Sequence, residues 1–183
     1  MSAASVHPSL AECACACTAA DEACAPFVIL ACGNPSRGDD AIGPLLLARL
    51  DDWLRARGIA GYFELIEDFQ FQVEHALDLT GRRAALFIDA GEGTPAPFTL
   101  TALDASSSPG HGTHAISPAA VLAVYRRIAG EPPPASVLCV RGESFGLGEE
   151  LSPAAAGHLD AAWAHLQGFC ENLLRTAGND SKA

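Results

Sequence analysis

Residues 27–43 read Phe27-Val-Ile-Leu-Ala-Cys32-Gly33-Asn34-Pro35-Ser36-Arg37-Gly38-Asp39-Asp40-Ala41-Ile42-Gly43. The first six are continuously apolar, as expected of a strand buried on both faces of a parallel sheet. A glycine-bounded loop follows. Ile42, Leu45, Leu46, Leu50, Trp53 and Leu54 then recur at helical spacing until Gly58 stops the pattern. Strand, loop and helix in that order open an α/β fold. Outward from this unit, residues 62–66, 84–89, 98–103 and 136–140 are predicted as further strands, and residues 72–79 as a short helix. Ser117-Pro118 and Ser152-Pro153 each set a capping hydroxyl before a proline at the first helical position. They predict helices running to about residues 129 and 174. The order β-α-β-α-β-β-α-β-α predicts a single α/β domain over residues 27–175, with a twisted, mostly parallel five-stranded sheet and helices on both faces. Residues 1–26, with Cys13, Cys15, Cys17 and Cys24, read as a loosely packed extension, residues 105–113 as a loop and residues 176–183 as a frayed tail.

The totals exclude several classes. Of 183 residues, 22 are acidic and 11 are Lys or Arg, a formal charge of -11. Nucleic acid and anionic membranes both demand a basic footprint, so neither is an expected partner. No apolar run is long enough to span a bilayer. The first Lys or Arg is Arg37, so a charged signal-peptide start is missing and a cytoplasmic location is expected. In that compartment the seven cysteines are expected as thiols or metal ligands rather than disulfides.

In an open parallel sheet, ligands bind beyond the carboxyl ends of the strands. Polar groups follow every predicted strand: Asn34, Asp39 and Asp40; Glu67, Asp68 and Gln70; Asp89; His111 and His114; Arg141, Glu143 and Ser144. All five strand ends are therefore expected to deliver acids and imidazoles to one edge. One of Asp39 and Asp40 is explained as a cap for the following helix, but two adjacent acids exceed what one helix start needs. Asp89 ends the run Ala-Ala-Leu-Phe-Ile, and a carboxylate there needs a partner. Asp40, Asp89 and His114 together form an oxygen and nitrogen donor set suited to a borderline divalent ion, with coordination positions left open.

Two competing motifs fare worse. The loop 33–38 resembles a phosphate cradle, but Asp39 and Asp40 stand where Lys and Ser or Thr belong and would repel phosphate. Residues 142–146, Gly-Glu-Ser-Phe-Gly, match a nucleophile elbow around Ser144, yet no helix is predicted before Ser152, and the downstream histidines, His158 and His165, fall inside that last helix.

The stretch 33–43 resembles the opening motif of the hydrogenase maturation endopeptidases. Residues 67–75 (Glu-Asp-Phe-Gln-Phe-Gln-Val-Glu-His) are similar to the second segment of the branch serving NAD-reducing nickel–iron hydrogenases. Phe87-Ile88-Asp89-Ala90, His114-Ala115-Ile116-Ser117-Pro118 and residues 141–145 are similar to the later segments. The likeness runs from about residue 27 to 170. It implies an aspartic-type or metal-assisted peptidase that removes the C-terminal extension of the hydrogenase large-subunit precursor. It implies Asp40, Asp89 and His114 as metal contacts, Asp39, Asp40 and Asp89 as catalytic acids, and Asn34, Asp68, Gln70 and Glu143 as substrate contacts. The nickel would be the substrate's own, so no permanently bound cofactor is expected. Many relatives carry Asp-Gly-Gly-Thr where this chain has Asp68-Phe69-Gln70-Phe71, a departure that favours the NAD-reducing branch. A non-enzymatic nickel-delivery protein and a Ser144 hydrolase are the competing functions.

Overall fold

Strand β1 (Phe27–Cys32) is buried along its whole length and occupies the inner part of a five-stranded sheet of order β2-β1-β3-β5-β4. The computed structural model describes residues 24–104 and 116–180. Strands β2 (Phe63–Asp68), β3 (Ala84–Gly91) and β5 (Ala135–Arg141) run parallel to β1, and β4 (Phe98–Leu103) pairs antiparallel with β5 at one edge.

Alternation along the strands divides the interior into two cores. Phe27, Ile29, Ala31, Leu86, Ile88, Leu138 and Val140 face one way, onto α1 (Ile42–Ala56) and α3 (Pro153–Asp180). Val28, Leu30, Cys32, Ala85 and Phe87 face the other way, onto α2 (Pro118–Ala129) and residues 71–79. Each buried Leu or Ile contributes roughly 1.5–3 kcal/mol. The fully buried Leu46, Leu50, Leu54, Ile29 and Leu86 therefore make the α1 face a principal source of stability.

The helix starts follow their predicted chemistry. The Ser117 hydroxyl accepts the Ala120 N–H at 3.3 Å and the Ser152 hydroxyl accepts the Ala155 N–H at 3.2 Å, each ahead of a proline. Gly58 adopts φ +69° just beyond α1. Gly43 lets α1 start hard against β1, since a Cβ there would sit 2.3 Å from the Cys32 carbonyl oxygen.

Several expectations need correction. Residues Val73–Leu79 form a 3-10 helix rather than an α-helix. A seven-residue segment closes too few i to i−4 bonds to favour the α form. Helix α3 continues to Asp180, past the tail boundary placed at residue 176. Attachment begins before residue 27, because Arg82 and Arg83 bond the carbonyls of Ala25 and Pro26 at 2.6 and 2.7 Å. Neither Asp39 nor Asp40 caps α1. They lie in a 3-10 turn, Gly38–Ala41, and Ala41 is the N-cap residue, with no side-chain cap. Finally, β4 is antiparallel, and its last residue Leu103 pairs with Ala135 at the start of β5. Its carboxyl end therefore lies at the edge opposite the other four, and the expectation that all five strands end at one edge fails.

Candidate active site

The parallel register brings four polar side chains into a row. Cys32 pairs with Asp68, and Ala31 pairs with Ile88, so Cys32 comes level with Asp89, which pairs with Cys139. All four belong to the α2 face, since each lies an even number of residues from a side chain in that core. Cys32 donates its thiol hydrogen to Asp89 Oδ1 at 3.3 Å, and the Ala90 N–H bonds the same oxygen at 2.8 Å. Burial, then the negative charge of Asp89, push the Cys32 thiol far up, so it remains a donor. Burial also pushes Asp89 from 3.8 to about 6, against the lowering effect of the Cys32 and Ala90 hydrogen bonds, and the charge of Asp40 adds to the rise.

Asp40 reaches this neighbourhood from the loop after β1. Its Oδ2 accepts the Asn34 N–H at 3.0 Å, and its charge is felt by both Asp89 and Cys32. Among the described residues, Oδ1 of Asp40 and Oδ2 of Asp89 take no hydrogen bond. The two acids thus keep one open oxygen each. Asn34 closes its own turn by accepting the Ser36 N–H at 2.9 Å. Gly33 permits the tight return, with φ +148° and a Cβ position only 2.0 Å from the Asp40 carbonyl oxygen.

Asp39 does something else. It is fully buried, and its carboxylate accepts the N–H groups of Glu143 (2.6 Å), Ser144 (2.9 Å) and Ser152 (2.7 Å) and the Ser152 hydroxyl (2.9 Å). Its own N–H donates to the Ser144 carbonyl at 2.8 Å. Burial raises its pKa, but the Ser152, Glu143 and Ser144 hydrogen bonds outweigh that and hold it below the ordinary carboxylate value. Asp39 therefore ties the loop after β1 to the loop after β5 and to the cap of α3.

At the end of β2, Asp68 accepts the Phe69 N–H at 2.6 Å and the Gln72 side-chain amide at 2.7 Å. His75 Nδ1 accepts the Gln72 N–H at 3.0 Å, which leaves the proton of the neutral ring on Nε2, 3.6 Å from Asp68. Gln70 is exposed, and Glu143 pairs with Arg141 at 2.9 Å. The Ser144 hydroxyl bonds Glu149, while His158 bonds the Arg141 carbonyl at 2.9 Å. Among the described residues, neither the helix that an elbow needs nor a histidine base stands at Ser144. His111 and His114 lie outside the described residues. Among the described residues, no group of three His, Cys, Asp or Glu side chains could hold a metal ion.

Sequence reasoning did not single out Cys32 or His75. The signal for Cys32 was present, since it and Asp89 both end long apolar runs that parallel pairing brings level. His75 offered none, because its role depends on the 3-10 turn that folds it back onto Gln72 and Asp68.

No protein-family model and no curated protein matches the chain. Solved structures do. The hydrogenase maturating endopeptidase HybD from E. coli aligns with TM-score 0.61 at 21% identity over 83% of this chain and 93% of that one. The NiFe-hydrogenase maturation protease HycI from Thermococcus kodakarensis aligns with TM-score 0.60 at 21% identity, covering 80% and 91%. An endopeptidase from Escherichia coli gives TM-score 0.57 at 22% identity, covering 76% and 88%. At these identities the likeness is one of fold.

Proposed function

We propose that this chain is a maturation endopeptidase that removes the C-terminal extension of a nickel–iron hydrogenase large-subunit precursor once nickel is in place. The observation that carries the reading is the pair Asp40 and Asp89: two electrostatically coupled acids at the carboxyl edge of the sheet, each with an open oxygen. The fold likeness to proteins named as hydrogenase maturation proteases supports the choice of substrate. The segment 67–75 supports the NAD-reducing branch, and the acidic composition suits a cytoplasmic enzyme without nucleic-acid or membrane partners. Among the described residues no helix is long and apolar enough to cross a membrane.

In this reading the nickel belongs to the substrate. Asp40, Asp89 and His114 (the last only two residues before Ile116) complete its coordination and hold the neighbouring scissile bond in register. Such positioning is worth roughly 7 kcal/mol or more in ideal cases. The substrate's nickel, so held, would polarise the scissile carbonyl or lower the pKa of an attacking water. Asp39 positions the two loops that flank the site. Asn34, Asp68, Gln70 and Glu143 line the approach of the substrate.

The test is incubation of purified precursor, with and without nickel, with wild-type protein and with Asp40→Ala, Asp89→Ala and His114→Ala. Mass spectrometry should show a shortened product only with nickel and wild-type protein. Trimming at the wild-type rate by the three variants would sink the proposal. Nickel transfer without chain shortening would point to a carrier instead.

A further inference from the structure

Strand β2 is one of the two outer strands of the sheet, and among the described residues it pairs with β1 alone. Among the described residues, the Phe63 carbonyl and the peptide groups of Leu65 and Glu67 on its outer side take no backbone partner, whereas the Phe63 N–H donates to the Ala60 carbonyl. The Asp68 carbonyl accepts the Gly33 N–H at 3.1 Å, so residue 68 turns its peptide groups toward β1. By the two-residue period of a strand, residues 63, 65 and 67 turn theirs outward. The side chains of Phe63 and Leu65 belong to the α1 side of the sheet, and there a groove follows the open edge, its lining including Leu47, Asp51, Arg55, Phe63, Leu65 and Glu67. A strand laid on this edge would drop every second side chain into that groove.

Charge selects the occupant. Glu64 and Glu67 are exposed on the strand. Glu64 is paired with Arg82 and Asp51 with Arg55, whereas Glu67 forms no ion pair among the described residues. A second copy pairing edge to edge would set these acids against each other, a common device against such pairing. A basic extended segment would be attracted. The groove reaches Glu67, next to the carboxyl end of β2, at the end of the sheet where Asp40 and Asp89 lie but on its other face.

We propose that the open edge of β2 receives the substrate's tail as an added strand, with apolar side chains against Leu47, Phe63 and Leu65 and a basic side chain opposite Glu67. Main-chain pairing supplies affinity, and the groove with Glu67 supplies selection, as in other strand-addition sites. The identity of the tail rests on the endopeptidase reading, but the docking site itself does not.

A fluorescein-labelled synthetic peptide, alternating threonine and valine and ending in lysine, serves as the probe with the full-length protein. A twin ending in glutamate is the control. Fluorescence anisotropy should show the lysine peptide binding, and hydrogen exchange should show new protection at residues 63–67. Glu67→Lys should weaken the lysine peptide about tenfold and favour the glutamate twin, a charge swap across one contact. Leu65→Pro should abolish binding by removing an outward N–H that the sheet does not use. A melting curve checks the fold of each variant, and Glu67→Lys is a surface change that keeps the test decisive if Leu65→Pro does not fold. Equal binding of both peptides to wild type and Glu67→Lys, or protection of 63–67 by self-association alone, would overturn the inference. Normal precursor trimming by Glu67→Lys, alongside none by Asp89→Ala, would remove the docking site and leave the endopeptidase reading standing. Peptide docking without precursor trimming would do the reverse.

Discussion

Asp89 follows four consecutive buried residues, Ala85 to Ile88, so its ionised form has given up much of its water. The Cys32 thiol and the Ala90 N–H return only part of that solvation, and Asp40 adds repulsion. A carboxyl whose folded value lies above its unfolded one binds more protons folded than unfolded between the two values. Stability therefore falls as pH rises from 3.8 to about 6 and stays reduced above that window. Asp89→Asn is expected to stabilise the metal-free protein by about 3 kcal/mol near pH 8 and by roughly half as much near pH 5. Urea unfolding at the two pH values measures this, and a gain that grows toward acid would contradict it. The same variant should lose trimming activity, since function retains an acid that stability would discard.

The element that organises the site is the pair of loops after β1 and β5, joined through Asp39 and the start of α3. Asp39→Ala would leave the N–H groups of Glu143, Ser144 and Ser152 without their acceptor in a buried place. Each such loss costs about 1–3 kcal/mol, so a destabilisation of roughly 3 kcal/mol or more is expected, with faster hydrogen exchange at residues 142–152. Because the folded Asp39 pKa is lowered, its contribution is full above the ordinary carboxylate value and is lost as pH falls below it. The deficit of the variant should accordingly shrink in acid. At this scale the sequence was informative where one residue type has one local job. Continuous apolar runs marked the buried strands, and Ser117-Pro118 and Ser152-Pro153 marked two helix starts. It was silent where the answer lay in distant partners. Nothing local tells Asp39, tied to residues more than a hundred positions away, from Asp40, which faces the sheet edge. Nor does a strand such as 98–103 announce its direction, because antiparallel and parallel neighbours share the same alternation.

For the molecule as a whole, acids outnumber Lys and Arg by 22 to 11. Arg49, Arg55, Arg57, Arg82, Arg126 and Arg141 already have carboxylate partners. Most of these pairs are solvent-exposed and stabilise the fold little. Their larger consequence is that six of the eleven Lys and Arg are locally neutralised, while Glu67, Glu74, Asp52 and Glu150 remain in no ion pair among the described residues. Glu67 thereby leaves an uncompensated negative charge on the β2 edge, and an approaching basic segment is steered toward it. Such steering acts on the encounter rate and is screened once the Debye length shrinks below the distance of approach. Raising salt from about 20 mM to about 500 mM is expected to slow association of the lysine-ended peptide by roughly tenfold while changing its dissociation little. Stopped-flow anisotropy separates the two rates. Glu67→Lys should flatten the salt dependence, and an association rate indifferent to salt in the wild-type protein would mean that the acidic edge plays no part in recruiting the tail.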